Sequence, residues 1–191
     1  DKTVQTLGSV QITVQSGVSA ITADTSVEID VDSLATASLS VKLTGAASGD
    51  VLAVQSSDES VVTVPASVDA STGSCSVTLT AVKTGTAAVT LSCGQATPAQ
   101  VAVTVKATKD HTVTFEKQKL TVEKAKTATN TATKATAGDK LTYASSSTAV
   151  ATVDASSGTV TGVAAGTATI TATVKNASDV IVGTASYTVE V

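Results

Sequence analysis

The chain has 191 residues, of which 42% are hydrophobic, 15% charged and only 2% aromatic, with a formal net charge of -4 and no Trp, Met or Arg. That is too apolar and too weakly charged for disorder. Thr or Ser interrupts every apolar stretch, so no apolar run reaches the ~18 residues of a membrane-spanning helix. The acidic balance, the absence of Arg and the scarcity of aromatic side chains argue against nucleic acid as a partner.

In chain order, the first residue is Asp1 rather than Met, which suggests a processed precursor, a cleaved signal peptide or a fragment of a longer protein. In Gly8 to Val14 apolar Val10, Ile12 and Val14 alternate with polar residues, so residues 1–17 read as a leading strand or the remnant of a preceding repeat. Val27, Ile29 and Val31 alternate with Glu28, Asp30 and Asp32. The carboxylates form a solvated face that discourages edge pairing, or a calcium site if a loop adds oxygens. Asp58 and Glu59 read as loop residues, and Pro65 to Ser74 as a long loop. Cys75 shares parity with Val77 and Leu79, and Cys93 with Val89 and Leu91, so both face the core. Each lies nine positions from Thr84, at the middle of the connection between them, which sets the two at one height. Cys75 and Cys93 are therefore a candidate structural disulfide if their Cα atoms fall within about 7 Å. Two buried free thiols, or redox or metal chemistry, are the alternatives.

Gln100 to Val105 is an alternating strand, and Lys106 to Asp110 a short polar boundary. His111, beside Asp110, is expected to be exposed at the junction. Lys117 to Thr136 is rich in Lys and Ala, yet Thr127, Thr129, Thr131 and Thr133 alternate with other residues and predict a strand. Thr167 to Val174 alternates strictly, with Ala168, Ile170, Ala172 and Val174 inward. Such small inward residues imply two closely packed sheets with a thin core. Ser186 to Val191 is the last alternating strand.

The chain repeats itself. Ser56 to Val64 aligns with Ser145 to Val153, Ala81 to Thr90 with Gly162 to Thr171, and Gln100 to Val105 with Ser186 to Val191. The first copy is longer by about eight residues, an insertion in a loop. The fold class expected is all-β: two tandem β-sandwiches of roughly 85 to 90 residues, over 18–106 and 107–191. Residues 1–106 hold four Lys against nine Asp and Glu, and residues 107–191 eight against seven, so the first unit is the acidic one.

Tyr143 to Ser147, Val150 to Asp154 and Gly158 to Thr171 carry a family pattern. The run from Tyr143 to Val174 resembles the bacterial immunoglobulin-like domain of group 2. The likeness covers most of residues 111–191 and extends more weakly over 18–106. It implies an immunoglobulin-like sandwich with Tyr143 as core aromatic, a role taken in the first unit by Val54, so that core must be repacked. By resemblance, such domains occur in tandem in bacterial surface adhesins, in surface-layer proteins, as accessory parts of cell-wall enzymes, and in phage virion and tail proteins. The family has no catalytic motif to transfer.

No residue constellation here points to chemistry. Two Cys with one His make no zinc site. No Ser sits in a nucleophile elbow, no second His could serve as its base, and no glycine loop cradles phosphate. Phe115, Tyr143 and Tyr187 read as core or junction residues. The expectation is a non-enzymatic chain without cofactor or metal, and without membrane insertion. It would act as a spacer, adhesion or decoration segment at a bacterial cell surface or, alternatively, in a phage virion. Its partners would be other protein subunits or a cell-surface component, with homo-oligomeric assembly open. The alternative is an accessory pair of a secreted cell-wall or polysaccharide-active enzyme.

Overall fold

The computed structural model describes residues 17–191, so the strand expected at Gly8 to Val14 lies outside the described residues. Thr and Val branch at Cβ and fit a pleated surface better than a helix, and every regular element among the described residues is a strand. In chain order the first nine are β1 (Ala20–Ala23), β2 (Ser26–Asp30), β3 (Thr36–Thr44), β4 (Val51–Ser56), β5 (Val62–Thr63), β6 (Ser67–Asp69), β7 (Ser74–Ala81), β8 (Gly85–Ser92) and β9 (Ala99–Lys106). They form two sheets, ordered β1-β3-β7-β5 and β2-β9-β8-β4-β6. The next nine are β10 (Val113–Phe115), β11 (Lys119–Thr121), β12 (Thr127–Thr129), β13 (Ala132–Lys134), β14 (Lys140–Ser145), β15 (Ala151–Val153), β16 (Thr159–Gly162), β17 (Thr167–Lys175) and β18 (Ile181–Glu190). Here β11-β18-β17-β14 faces β12-β16-β15, with β10 paired to β13. The chain is thus two tandem immunoglobulin-like sandwiches. In each, an early strand runs parallel to the last one, β2 along β9 and β11 along β18.

The repeat is visible bond by bond. Ser57 Oγ accepts the Ala88 N–H at 2.9 Å, and Ser146 Oγ accepts the Thr169 N–H at 2.9 Å. The Val82 N–H reaches the Val61 carbonyl at 2.9 Å, and the Val163 N–H the Val150 carbonyl at 2.8 Å. Asp69-Ala70-Ser71-Thr72-Gly73 and Asp154-Ala155-Ser156-Ser157-Gly158 are matching turns, in which the aspartate accepts the N–H of Ser71 at 2.9 Å or of Ser156 at 3.1 Å. That turn divides the insertion of the first unit. The expected Pro65–Ser74 loop instead contains β6, which pairs with β4 and covers its edge; among the described residues β14 has no such cover.

The strand expected over Thr127 to Thr133 is broken. Its counterpart β3 is continuous, whereas β12 and β13 part at Asn130. That buried side chain donates to the Lys117 carbonyl at 2.7 Å and accepts the Lys117 N–H at 3.3 Å, so it serves the neighbouring chain rather than the ladder.

β17 alternates as the Thr pattern predicts, with Ala168, Ile170, Ala172 and Val174 buried. The second core adds Phe115, Tyr143 and Tyr187, the Phe115 and Tyr187 rings meeting edge to face at 4.6 Å. The first core has Val54 in place of Tyr143 and is filled by Leu39, Leu52, Leu79 and Leu91, all fully buried. Each such side chain contributes about 1.5–3 kcal/mol. Gly158, at φ +71°, is where only a glycine serves twice: the backbone is left-handed, and an added Cβ would come 2.8 Å from the Tyr143 ring.

The two cores are not sealed from each other. Val180, at the tip of the β17–β18 hairpin of the second sandwich, is buried in the first core, and Val182 packs against both. The cause lies in the ladder: Val174 pairs with Gly183 but Lys175 with Ile181, leaving Val182 as an extra residue. Such a bulge bends and twists its strand, and it carries the hairpin tip across to the other sandwich.

Candidate functional site: the junction between the sandwiches

The junction is built from four segments. The first is the end of β2, where the Ser33 and Leu34 N–H groups return to the Asp30 carbonyl at 3.0 and 2.9 Å, a turn that lifts Asp32 out of the strand. The second is the connection from Lys106 to His111. The third is the connection between β13 and β14, which carries Asp139. The fourth is the β17–β18 hairpin, docked on the first sandwich through Thr84 N–H to Ile181 O at 3.0 Å and Ile181 N–H to Val82 O at 2.9 Å. Gly183 allows close approach here, since a Cβ would fall 2.6 Å from the His111 carbonyl oxygen.

His111 lies at the centre, and the expectation that it is exposed is corrected: its side chain is 3% exposed. Nε2 lies 2.9 Å from Asp32 Oδ1 and Nδ1 lies 2.6 Å from Asp139 Oδ2, with the carboxylates 5% and 3% exposed. Asp32 Oδ2 also accepts the N–H groups of Thr108 and Lys109, each at 2.8 Å. Asn176 Nδ2 donates to the Val31 carbonyl at 2.8 Å, while its Oδ1 accepts the N–H groups of Ser178 and Val180, both at 3.0 Å. A buried polar group is costly unless hydrogen-bonded, and all four of these side chains are.

Burial is the largest single influence on both His111 and Asp32, and in each case it opposes the charge. For His111 the hydrogen bonds and charges of Asp139 and Asp32 outweigh it, and the imidazole is raised above its ordinary 6.5. For Asp32 the Lys109 N–H, His111 and the Thr108 N–H outweigh it, and the carboxyl is lowered below 3.8.

The sequence-derived candidates fall elsewhere. Cys75 on β7 and Cys93, just past β8, belong to opposite sheets but line the same core, and both are free thiols. Burial, followed by the nearby Cys93 and Asp69, pushes the Cys75 thiol up. Glu28, Asp30 and Asp32 do not form one face. Glu28 pairs with Lys106 at 2.6 Å in solvent, whereas Asp32 turns into the junction. No group of three or more His, Cys, Asp or Glu among the described residues is placed to hold a metal ion. Asp58 is a loop residue, accepting the N–H of Ser60 at 2.9 Å. Tyr187 is buried with no hydrogen-bond partner for its hydroxyl among the described residues, and burial pushes it up to about 12. The sequence reading missed the hairpin crossing. Asn176-Ala177-Ser178-Asp179, a turn-forming run between two apolar strands, was its one visible sign.

The family model for the bacterial Ig-like domain (group 2) matches residues 103–185. No curated protein sequence matches the chain. Among solved structures, domains 7, 8 and 9 of the S-layer protein SbsC are 20% identical with a TM-score of 0.45, covering 92% of this chain and 65% of that one. A C-terminal 282-residue fragment of intimin, solved with the intimin-binding domain of the translocated intimin receptor, is 21% identical with a TM-score of 0.38, covering 91% of this chain. The fibronectin(III)-like modules of Clostridium thermocellum CbhA are 12% identical with a TM-score of 0.38, covering 90% of this chain and 93% of that one. The chain spans 63% of the intimin fragment and 28% of the structure of SbsC domains 1–6.

Proposed function

We propose that this chain, whose residues 103–185 belong to the bacterial Ig-like domains of group 2, is a non-enzymatic spacer and adhesion segment displayed on a bacterial surface. Its units are residues 18–106 and 107–191, set end to end. The junction carries this reading. A hairpin side chain of one sandwich completes the core of the other, and a buried histidine ties carboxylates from both. Such a joint holds a direction between two modules. Both ring nitrogens of His111 face carboxylates of the chain itself. The partners are other protein subunits or a cell-surface component, met by loops at the outer ends of the sandwiches. On export, where thiols are oxidised, Cys75 and Cys93 join across the sheets.

Two measurements test the reading. An antibody raised against residues 18–191 is expected to label intact producing cells; labelling only after permeabilisation would overturn the surface assignment. Small-angle scattering is expected to give an elongated particle. A radius of gyration near about 16 Å, the value for one compact globule of this length, would overturn the end-to-end arrangement.

A further inference from the structure

We propose that His111 is a proton-operated bolt between the two sandwiches: as the imidazolium it ties Asp32 of the first to Asp139 of the second, and on deprotonation it lets go of Asp32 and frees the second sandwich to swing about its docked hairpin.

The geometry requires the charged form. Both ring nitrogens face carboxylate oxygens, at 2.9 and 2.6 Å. A carboxylate only accepts, and a neutral imidazole has only one N–H. Only the imidazolium donates both bonds. Once the proton leaves, one nitrogen turns a lone pair toward a buried carboxylate, and that contact becomes repulsive.

Which bond breaks follows from the other partners. Asp32 keeps two backbone N–H donors, from Thr108 and Lys109. The carboxylate of Asp139 has His111 as its one hydrogen-bond partner among the described residues. Losing it would strand a buried charge, so the remaining proton stays on Nδ1. Of the two ring bonds, the one lost is Nε2 to Asp32, which crosses between the sandwiches; Asn176 Nδ2 to the Val31 carbonyl stays with the hairpin. His111 and Asp139 stay together inside the second, where the Ala135 N–H also holds the Thr112 carbonyl at 2.9 Å.

The surroundings reinforce the proton dependence. From the first sandwich, Asp30 stands beside Asp32, reached by Thr108 Oγ1 at 3.5 Å. In the connection, Lys109 lines the same cleft, and the Asp110 carboxylate, engaged by Thr112, adds negative charge. On the Asp139 side, the Lys134 ammonium donates to the carbonyls of Ala137 and Asp139, not to a carboxylate. From the hairpin, Asn176 is neutral, Asp179 pairs with Lys140 at 2.8 Å, and Lys175 adds to the positive charge near Asp179. Of the charged groups in hydrogen-bond contact with the ring, both are negative. The hairpin contacts of Thr84, Ile181 and Val82 are backbone bonds that do not titrate, and they form the pivot.

The sign follows from the direction of each shift. His111 is raised, so its tie is fully present below about pH 6.5 and is lost as pH rises through its folded value. Asp32 is lowered, so its share is present above about pH 3.8 and is lost as pH falls through its folded value. The bolt is shut in weakly acidic conditions and opens on the alkaline side.

The test is nuclear magnetic resonance on residues 1–191. His111 ring signals report its titration, and residual dipolar couplings report the relative orientation of the two sandwiches across the same pH series. The expected result is a His111 midpoint above 6.5 and a change of orientation with that same midpoint. His111→Gln, which cannot take up a proton, is expected to abolish the orientation change. Should that variant fail to fold, Asp32→Asn serves instead: it is expected to lower the His111 midpoint while the Nδ1 contact to Asp139 persists. A midpoint at or below 6.5, a titration without reorientation, or a reorientation that survives His111→Gln would overturn the proposal.

Discussion

Val180→Ala asks whether one sandwich completes the other. Val180 is covalently part of the second unit but 1% exposed within the first core. The substitution removes two buried methyl groups at about 0.8 kcal/mol each. A cavity penalty follows because the leucine-lined core relaxes only in part, bringing the loss to about 2–3 kcal/mol. With a urea dependence of about 1–2 kcal/mol per molar, the midpoint falls by about 1–3 M. The tyrosines lie only in the second unit, at Tyr143 and Tyr187, so their emission follows that unit alone. Amide exchange at Leu39, Leu79 and Leu91 follows the first. The substitution is expected to accelerate exchange at those leucines, although they lie far from position 180 in the chain. Unchanged exchange there, with a shift confined to tyrosine emission, would refute the reading that the hairpin tip closes the first core.

Tyr187→Phe removes a buried hydroxyl that has no partner among the described residues, so it is expected to leave thermal stability unchanged or to raise it by about 1 kcal/mol. In the unsubstituted protein, absorbance titration should show one tyrosine ionising late, at about 12. Because that value is raised, the associated stability is complete below the ordinary 10 and declines as pH climbs through 12. Gly158→Ala meets a left-handed backbone and the Tyr143 ring together, and a loss of about 2–4 kcal/mol is expected in urea titrations read by tyrosine emission. Material exported into an oxidising compartment should be about 2 Da lighter than its reduced form as Cys75 and Cys93 lose two hydrogens to a disulfide-exchange oxidant. Equal masses with alkylatable thiols would remove that bond.

Most strands could be read from local alternation. Thr167 to Val174 carries its inward and outward faces in the side chains themselves, and the packing repeats them. The repeat could be read because the serine blocks and the Gly-Thr turns recur in the sequence itself, although the bonds that Ser57 and Ser146 make reach 31 and 23 positions along the chain. Asn130 misled because a single β-poor residue in a Thr-rich run looks harmless; its effect depends on Lys117, thirteen positions away. The junction was hidden for a stronger reason. His111 meets Asp32 from 79 positions upstream and Asp139 from 28 positions downstream, and no periodicity records such a meeting. Its isolation in the sequence suggested exposure, whereas three chain segments enclose it. The matching Asp-Ala-Ser-Thr-Gly and Asp-Ala-Ser-Ser-Gly turns were open to inspection, but the insertion displaced them from the register of the flanking blocks.

The crossing of Val180 also orders events in time. A ribosome delivers the chain from its amino end, so residues 18–106 emerge while the side chain that plugs their interior has yet to be made. Until the last hairpin is threaded, the earlier sandwich is a vessel without its stopper, solvated at the end where Val82 and Thr84 wait for Ile181. Maturation therefore finishes in both halves together, and a nascent product halted before residue 180 carries the vulnerability of an unfinished interior to any protease it meets.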